Sequence, residues 1–228
     1  MASTYTDLGI ELMATGENAG TWGTKTNANL NLIEQLTGGF ATLSIAGGAG
    51  TQALDIDDGA LTGTAQQRII EFTGSITGNR IITIPNDVET FYILKNSTSG
   101  AYTVQFKYAT GSGSSTTFSA TDKGIKTVYA SANDGTNPDI VDVMANSSEI
   151  SLANNNPIKF NDADNSAFVG IDAPATVSGS YTLTLPAAVG SASQALVTTD
   201  GAGTLGFTST SSFGITTGKA IAMAIVFG

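Results

Sequence analysis

The stretch Tyr102-Thr103-Val104-Gln105-Phe106-Lys107-Tyr108 alternates without a break, with Tyr102, Val104, Phe106 and Tyr108 on one face of an extended chain and Thr103, Gln105 and Lys107 on the other. A helix would scatter these residues around its circumference, so the segment reads as a strand with one face in a core and one in water. Working outward, Arg68 to Thr73, Arg80 to Ile84, Phe91 to Lys95, Ile125 to Tyr129 and Ile140 to Met144 share the β-like texture. Thr77-Gly78-Asn79, Pro85-Asn86-Asp87 and Asn133-Asp134-Gly135 separate them as turns. Strands this short and this regularly punctuated predict a compact antiparallel sandwich or barrel of about six strands over residues 41–145.

The polar run from Ala145 to Pro157 interrupts the pattern and marks a boundary. Beyond it, Ile158 to Phe160, Phe168 to Ile171, Tyr181 to Leu185, Ala195 to Thr199 and Thr204 to Phe207 predict a second small antiparallel sandwich or barrel-like module over 146–228. Asp200-Gly201 reads as a hairpin turn. A faint echo links Ser75 to Pro85 with Thr176 to Pro186, each a Gly turn, an alternating strand and a Pro stop. The last segment alternates the large Ile221, Met223, Ile225 and Phe227 with the small Ala220, Ala222 and Ala224. A free apolar edge of this kind invites another chain, so these four large residues are expected at an oligomer seam.

Residues 1–40 differ in texture. They are polar and turn-rich up to the only Trp, Trp22, and then Leu30, Ile33 and Leu36 recur at three-residue steps between Lys25 and Leu36, with Gly38-Gly39 where a helix would end. One short amphipathic helix is expected there. A helix of this length is unstable alone, so its stripe must pack on Trp22, on the β part or on another chain.

Composition removes most chemistries. The 228 residues include no Cys and no His, which excludes thiol nucleophiles, zinc thiolates, disulfides and imidazole bases. A net charge of −10 argues against nucleic acid as a partner, since that binding rests on cations displacing counterions. No apolar run is long enough to insert into a membrane, and the start has no basic and apolar leader pattern. With 41% hydrophobic residues and only 12% charged, the chain should fold, and no cofactor or metal is called for.

The remaining motifs read as structural. Gly201-Ala202-Gly203-Thr204-Leu205-Gly206 matches the dinucleotide-binding pattern, but strand-like sequence follows where a helix is required. Asp162-Ala163-Asp164-Asn165-Ser166 opens like a calcium loop, yet Ala167 stands where the loop needs Gly and Ala173 where it needs the bidentate Glu. Any Ca²⁺ held at Asp162 and Asp164 would be weakly bound. Asp55-Ile56-Asp57-Asp58-Gly59 is acidic and equally incomplete. No spacing singles out a carboxylate pair for glycoside hydrolysis. Tyr102, Phe106, Tyr108 and Tyr129 read as core aromatics before they read as a sugar-stacking platform.

The opening from Gly9 to Glu34, above all Gly20-Thr21-Trp22-Gly23-Thr24, resembles the N-terminal part of tail fibre and related virion proteins of tailed, marine-type bacteriophages. Phe91 to Asn96, Tyr102-Thr103-Val104, and Leu183 to Pro186 through Leu196 to Gly201 are similar to β modules of such fibres. The resemblance implies a non-enzymatic, homotrimeric, β-rich appendage exposed on the virion. Its N-terminus would dock on other virion proteins through Trp22, Leu30, Ile33 and Leu36, and its distal part would face a host polysaccharide or receptor. A capsid-decorating fibre or tail-tip component, and a carbohydrate-binding or carboxylate-based depolymerase module, are the alternatives.

Overall fold

The computed structural model describes residues 2–152, 156–162 and 166–213. The chain forms two units, 1–150 and 151–228, whose division falls inside the polar run at 145–157.

The first unit opens with β1 (Thr4–Tyr5) and β2 (Glu11–Leu12), a short antiparallel pair, followed by helix α1 (Trp22–Gly38). The helix is longer at both ends than the Lys25 to Leu36 periodicity predicts. The backbone N–H of Gly39 donates to the Gln35 carbonyl at 2.8 Å, and Gly39 itself turns extended. A side chain at Gly39 would collide with the Gln35 backbone, so this tight exit into the next strand needs glycine.

Nine strands follow: β3 (Phe40–Ser44), β4 (Gly50–Ala53), β5 (Ile69–Thr73), β6 (Arg80–Ile84), β7 (Thr90–Asn96), β8 (Val104–Tyr108), β9 (Thr116–Phe118), β10 (Ile125–Ala130) and β11 (Ile140–Asp142). They do not form an antiparallel sandwich. β3, β5 and β7 pair in parallel, as do β4, β6 and β8, so three successive strand–corner–strand rungs stack on one another. Ile69 pairs with Ile93 and Arg80 with Val104, a spacing of 24 residues in both cases. The second and third rungs are thus in constant register through their shared corner, where Ser75 bridges Ser99.

The expectation of antiparallel pairing fails for a physical reason. Alternation along a strand reports which face is buried, and it is the same whichever way the neighbour runs. What decides direction is the turn: here each turn is a corner leading into the other sheet, where a hairpin would have returned the chain beside itself. Among these nine strands antiparallel pairing begins only after the third rung, where β9 runs back along β8, β10 along β7 and β11 along β10. The result is a five-stranded sheet in the order β11-β10-β7-β5-β3 and a four-stranded sheet in the order β4-β6-β8-β9.

Between the sheets lies the core. Ile70 stacks on Leu94, Ile82 on Phe106 and Ile84 on Tyr108, all buried. Phe106 sits at the centre, edge-on to Tyr92 at 5.4 Å and tilted against Phe72 at 6.5 Å. The two buried phenols are satisfied: Tyr92 Oη donates to the Ala65 carbonyl at 2.8 Å and Tyr108 Oη to the Val88 carbonyl at 2.7 Å.

The second unit differs in kind. β12 (Ile158–Asn161) pairs with β13 (Phe168–Ile171), and β14 (Gln194–Thr198) pairs with β15 (Leu205–Ser209), both antiparallel. Among the described residues these are two separate two-stranded ladders, where a single module was expected. The predicted strand at Tyr181 to Leu185 reduces to one parallel bridge between Thr184 and Thr204, so the echo of Ser75 to Pro85 has no structural counterpart. None of the described residues of this unit is buried.

Candidate assembly interface

The predicted anchor residues split between two faces of α1. Trp22, Leu30 and Ile33 are 65%, 58% and 45% exposed. Leu36 is not with them. It is buried in its own chain with Leu32, because at 100° per residue it lies beside Leu32 and away from Leu30. The inward stripe therefore consists of Leu32 and Leu36, and the outward one of Trp22, Leu30 and Ile33.

A polar clamp, not foreseen from the sequence, sets the position of α1 against β2. Asn29 Oδ1 accepts from the Glu11 backbone N–H at 3.0 Å, and Asn29 Nδ2 donates to the Glu11 carbonyl at 2.9 Å. The Glu11 side chain is itself buried, 3.0 Å from Lys25 Nζ and accepting from Asn18 Nδ2 at 3.0 Å. Asn18 and the Lys25 ammonium hold this carboxyl below the ordinary carboxylate range. An Asn on a polar helix face gives no signal of such pairing, since its partner is backbone 18 residues away.

The acids that invited metal or hydrolase readings are spent on local turns. Asp55 accepts from the Thr64 backbone N–H at 3.0 Å, and Asp57 from the Thr62 hydroxyl. Asp162 accepts from the Ser166 backbone N–H at 2.9 Å and its hydroxyl at 3.1 Å, while Asp164 lies outside the described residues. Asp200 accepts from the Ala202 and Thr204 backbone N–H groups, which makes Gly201 to Thr204 the turn from β14 into β15, with Leu205 and Gly206 already paired in the strand. Among the described residues no three acids converge to hold a metal ion, and no helix is long and apolar enough to cross a membrane. Phe106 and Tyr108 are core; Tyr129 faces outward and stacks on Phe91 at 5.1 Å.

The second unit concentrates apolar side chains without covering them. On β12 and β13, Ile158 is opposite Ile171 and Phe160 opposite Val169, and all four fall on one face of the ladder. Every one of them is exposed. On β14 and β15, Leu196 is opposite Phe207, again both exposed. Between the ladders Leu185 and Val189 are 74% and 95% exposed. The four predicted seam residues Ile221, Met223, Ile225 and Phe227 lie outside the described residues. Comparison with protein-family models, with curated proteins and with solved structures yields no match.

Proposed function

We propose that the chain is a structural protein of a bacteriophage virion, a short homotrimeric tail fibre that takes part in attachment to the host surface and performs no catalysis. The observation that carries the reading is the second unit's lack of any buried described residue alongside a solid apolar face on β12 and β13. A two-stranded ladder is marginal alone in water, and one with Ile158, Phe160, Val169 and Ile171 in solvent is worse than marginal. Such a unit is stable only when its core is completed by permanent partners, and copies of the same chain are the partners always present at synthesis. The outward Trp22, Leu30 and Ile33 then serve as the contact to other virion proteins. The resemblance of residues 9–34 to phage fibre N-termini supplies the biological setting.

The test is the solution mass of the full chain beside a chain ending before Lys219, with gold labelling of the virion. A concentration-independent trimer that falls apart on truncation, and label on the tail, is the expected result. A folded monomer overturns the assembly reading, and label confined to the capsid favours a decorating fibre.

A further inference from the structure

The two sheets of the first unit present opposite characters to the outside. The four-stranded sheet is mostly polar outward, with Thr51, Gln105, Lys107 and Thr117 around a single half-buried Ile81 on its outer face. That is what a sheet with one wet face requires. The five-stranded sheet is the reverse. A row of Phe40, Ile69 and Ile93 crosses β3, β5 and β7, with the stacked pair Phe91 and Tyr129 on one flank and Ile125 on the other. Phe40, Phe91 and Ile125 are 56%, 48% and 65% exposed. The only formal charges pointing out of these strands are Glu71 and Lys95, which neutralise each other at 2.8 Å.

We propose that this outer face is a seam against further copies of the chain, the equivalent faces of the three copies meeting around the trimer axis. Four features select that occupant. A parallel ladder with apolar residues on both faces is the pattern of a sheet covered on both sides. The exposed parts of Phe40, Phe91, Ile125 and the adjoining Val143 amount to roughly 400 Å², about half of what each side of a standard protein interface buries, with Ile69, Ile93 and Tyr129 adding to it. A chain of net charge −10 repels its own copies least where charge is balanced, and here Glu71 faces Lys95 while Glu89 on Tyr129 and Arg68 on the Phe91 carbonyl offset each other at the flank. Finally, Ile69, Ile93, Ile125 and Val143 share the face with the three rings, a mixture that suits sheet-on-sheet packing better than a sugar, whose hydroxyls need polar partners beside each aromatic ring. The proposal rests on the assembled state put forward above and adds where the first units touch.

The chain's lack of cysteine makes the test direct. Single substitutions Phe91→Cys, Ile125→Cys and, on the polar sheet, Thr117→Cys are made in the full chain, and the rate of reaction with a bulky polymer-linked maleimide is followed natively and in urea. Light scattering on each variant reports the mass. The expected result is an oligomer in which Phe91→Cys and Ile125→Cys react at least about tenfold more slowly than Thr117→Cys, corresponding to a face open in no more than a tenth of molecules, with the gap vanishing in urea. An oligomer whose three thiols react alike overturns this seam and leaves the assembly reading standing. Monomers with fast labelling throughout overturn both. Protection of a monomer by an added soluble glycan overturns the seam in favour of a ligand face.

Discussion

Glu71 and Lys95 stand one above the other on successive rungs, with Lys95 Nζ 2.8 Å from Glu71 Oε1, because the 24-residue spacing places residue 71 opposite residue 95. The Ser97 hydroxyl donates to the same carboxylate at 2.6 Å. Lys95 first and Ser97 second hold the Glu71 carboxyl below the ordinary carboxylate range. A group whose pKa is depressed by folding adds stability above its unfolded pKa and loses it as pH falls through the folded one. Glu71→Gln should therefore lower Tm slightly at pH 7, with the difference from the parent chain closing in acid. A calorimetric series from pH 7 to pH 3 checks this.

Phe106 is the residue on which the core turns, in contact with Tyr92 of its own rung and Phe72 of the rung beneath. Phe106→Ala should cost about 3–5 kcal/mol, the range for deleting a buried aromatic from a core that cannot collapse. Urea unfolding followed by Tyr fluorescence measures it. A loss below about 1 kcal/mol would mean that the rungs do not pack as described.

Gly100 turns the third rung's corner at φ +100°, and a Cβ there would come within 2.2 Å of the Ile76 carbonyl oxygen in the rung beneath. Gly100→Ala should destabilise by about 2 kcal/mol or more through strain and collision together. Gly135 has open space around it, and Gly135→Ala should stay within about 0.5 kcal/mol. The pair of melts separates a corner requirement from a general effect of removing glycine.

The pH range of stability follows from which groups titrate. Asp55, Asp139 and Asp200 are held below the ordinary range by hydrogen bonds from Thr64, Ser114 and Thr204 respectively, in the same direction as Glu11 and Glu71. Their contribution is present above an ordinary carboxylate pKa of about 4 and is lost as pH falls below it. Burial pushes the Tyr92 phenol up strongly and the Tyr108 phenol up to about 12. A raised phenol pKa means that the unfolded chain ionises first, so stability falls as pH rises past about 10. With no His in the sequence, Tm should be nearly flat between about pH 5 and 8. Absorbance at the phenolate band should show at least two of the six tyrosines ionising only with unfolding.

Asn29→Ala removes both arms of the clamp between α1 and β2 and leaves a backbone N–H and a carbonyl of Glu11 without partners. A loss of about 1–3 kcal/mol is expected for the N-terminal segment. Hydrogen exchange at Glu11 and Leu12 should quicken while the core strands keep their protection.

The strand within 102–108 was legible because its period of two survives in any β fold, and Val104, Phe106 and Tyr108 do face the core, but the strand starts only at Val104 and Tyr102, expected on the same face, lies before it and is exposed. Direction of pairing was not legible, since the rung repeat is carried by spacing and shape with little identity: Phe72 lies under Asn96, and Ile82 under Phe106. The first rung hides the repeat further, as Phe40 to Ile69 spans 29 residues and Gly50 to Arg80 spans 30. In α1 the three-residue steps grouped Leu36 with Leu30 and Ile33. The true inward pair, Leu32 and Leu36, is four apart and carries the helical period. The Asp-rich turns were read correctly as turns because Asp and Thr close such loops onto their own backbone. The outward apolar row was invisible, because Phe40, Ile69 and Ile93 become neighbours only once parallel rungs are stacked.

The stack has a beginning and an end that are chemically unlike. Its last rung is closed by β9 and β10, whereas β3 and β4 are the terminal strands of their sheets at the other end. A ribosome delivers the open end first, so each nascent rung finds the preceding one as a template only 24 to 30 residues behind it, and the antiparallel closure arrives last. A chain stopped after β8 would have unpaired backbone at both ends of the ladder, the exposed-edge condition that favours strand addition by other chains, and in the whole chain β9 and β10 cover those edges of β8 and β7.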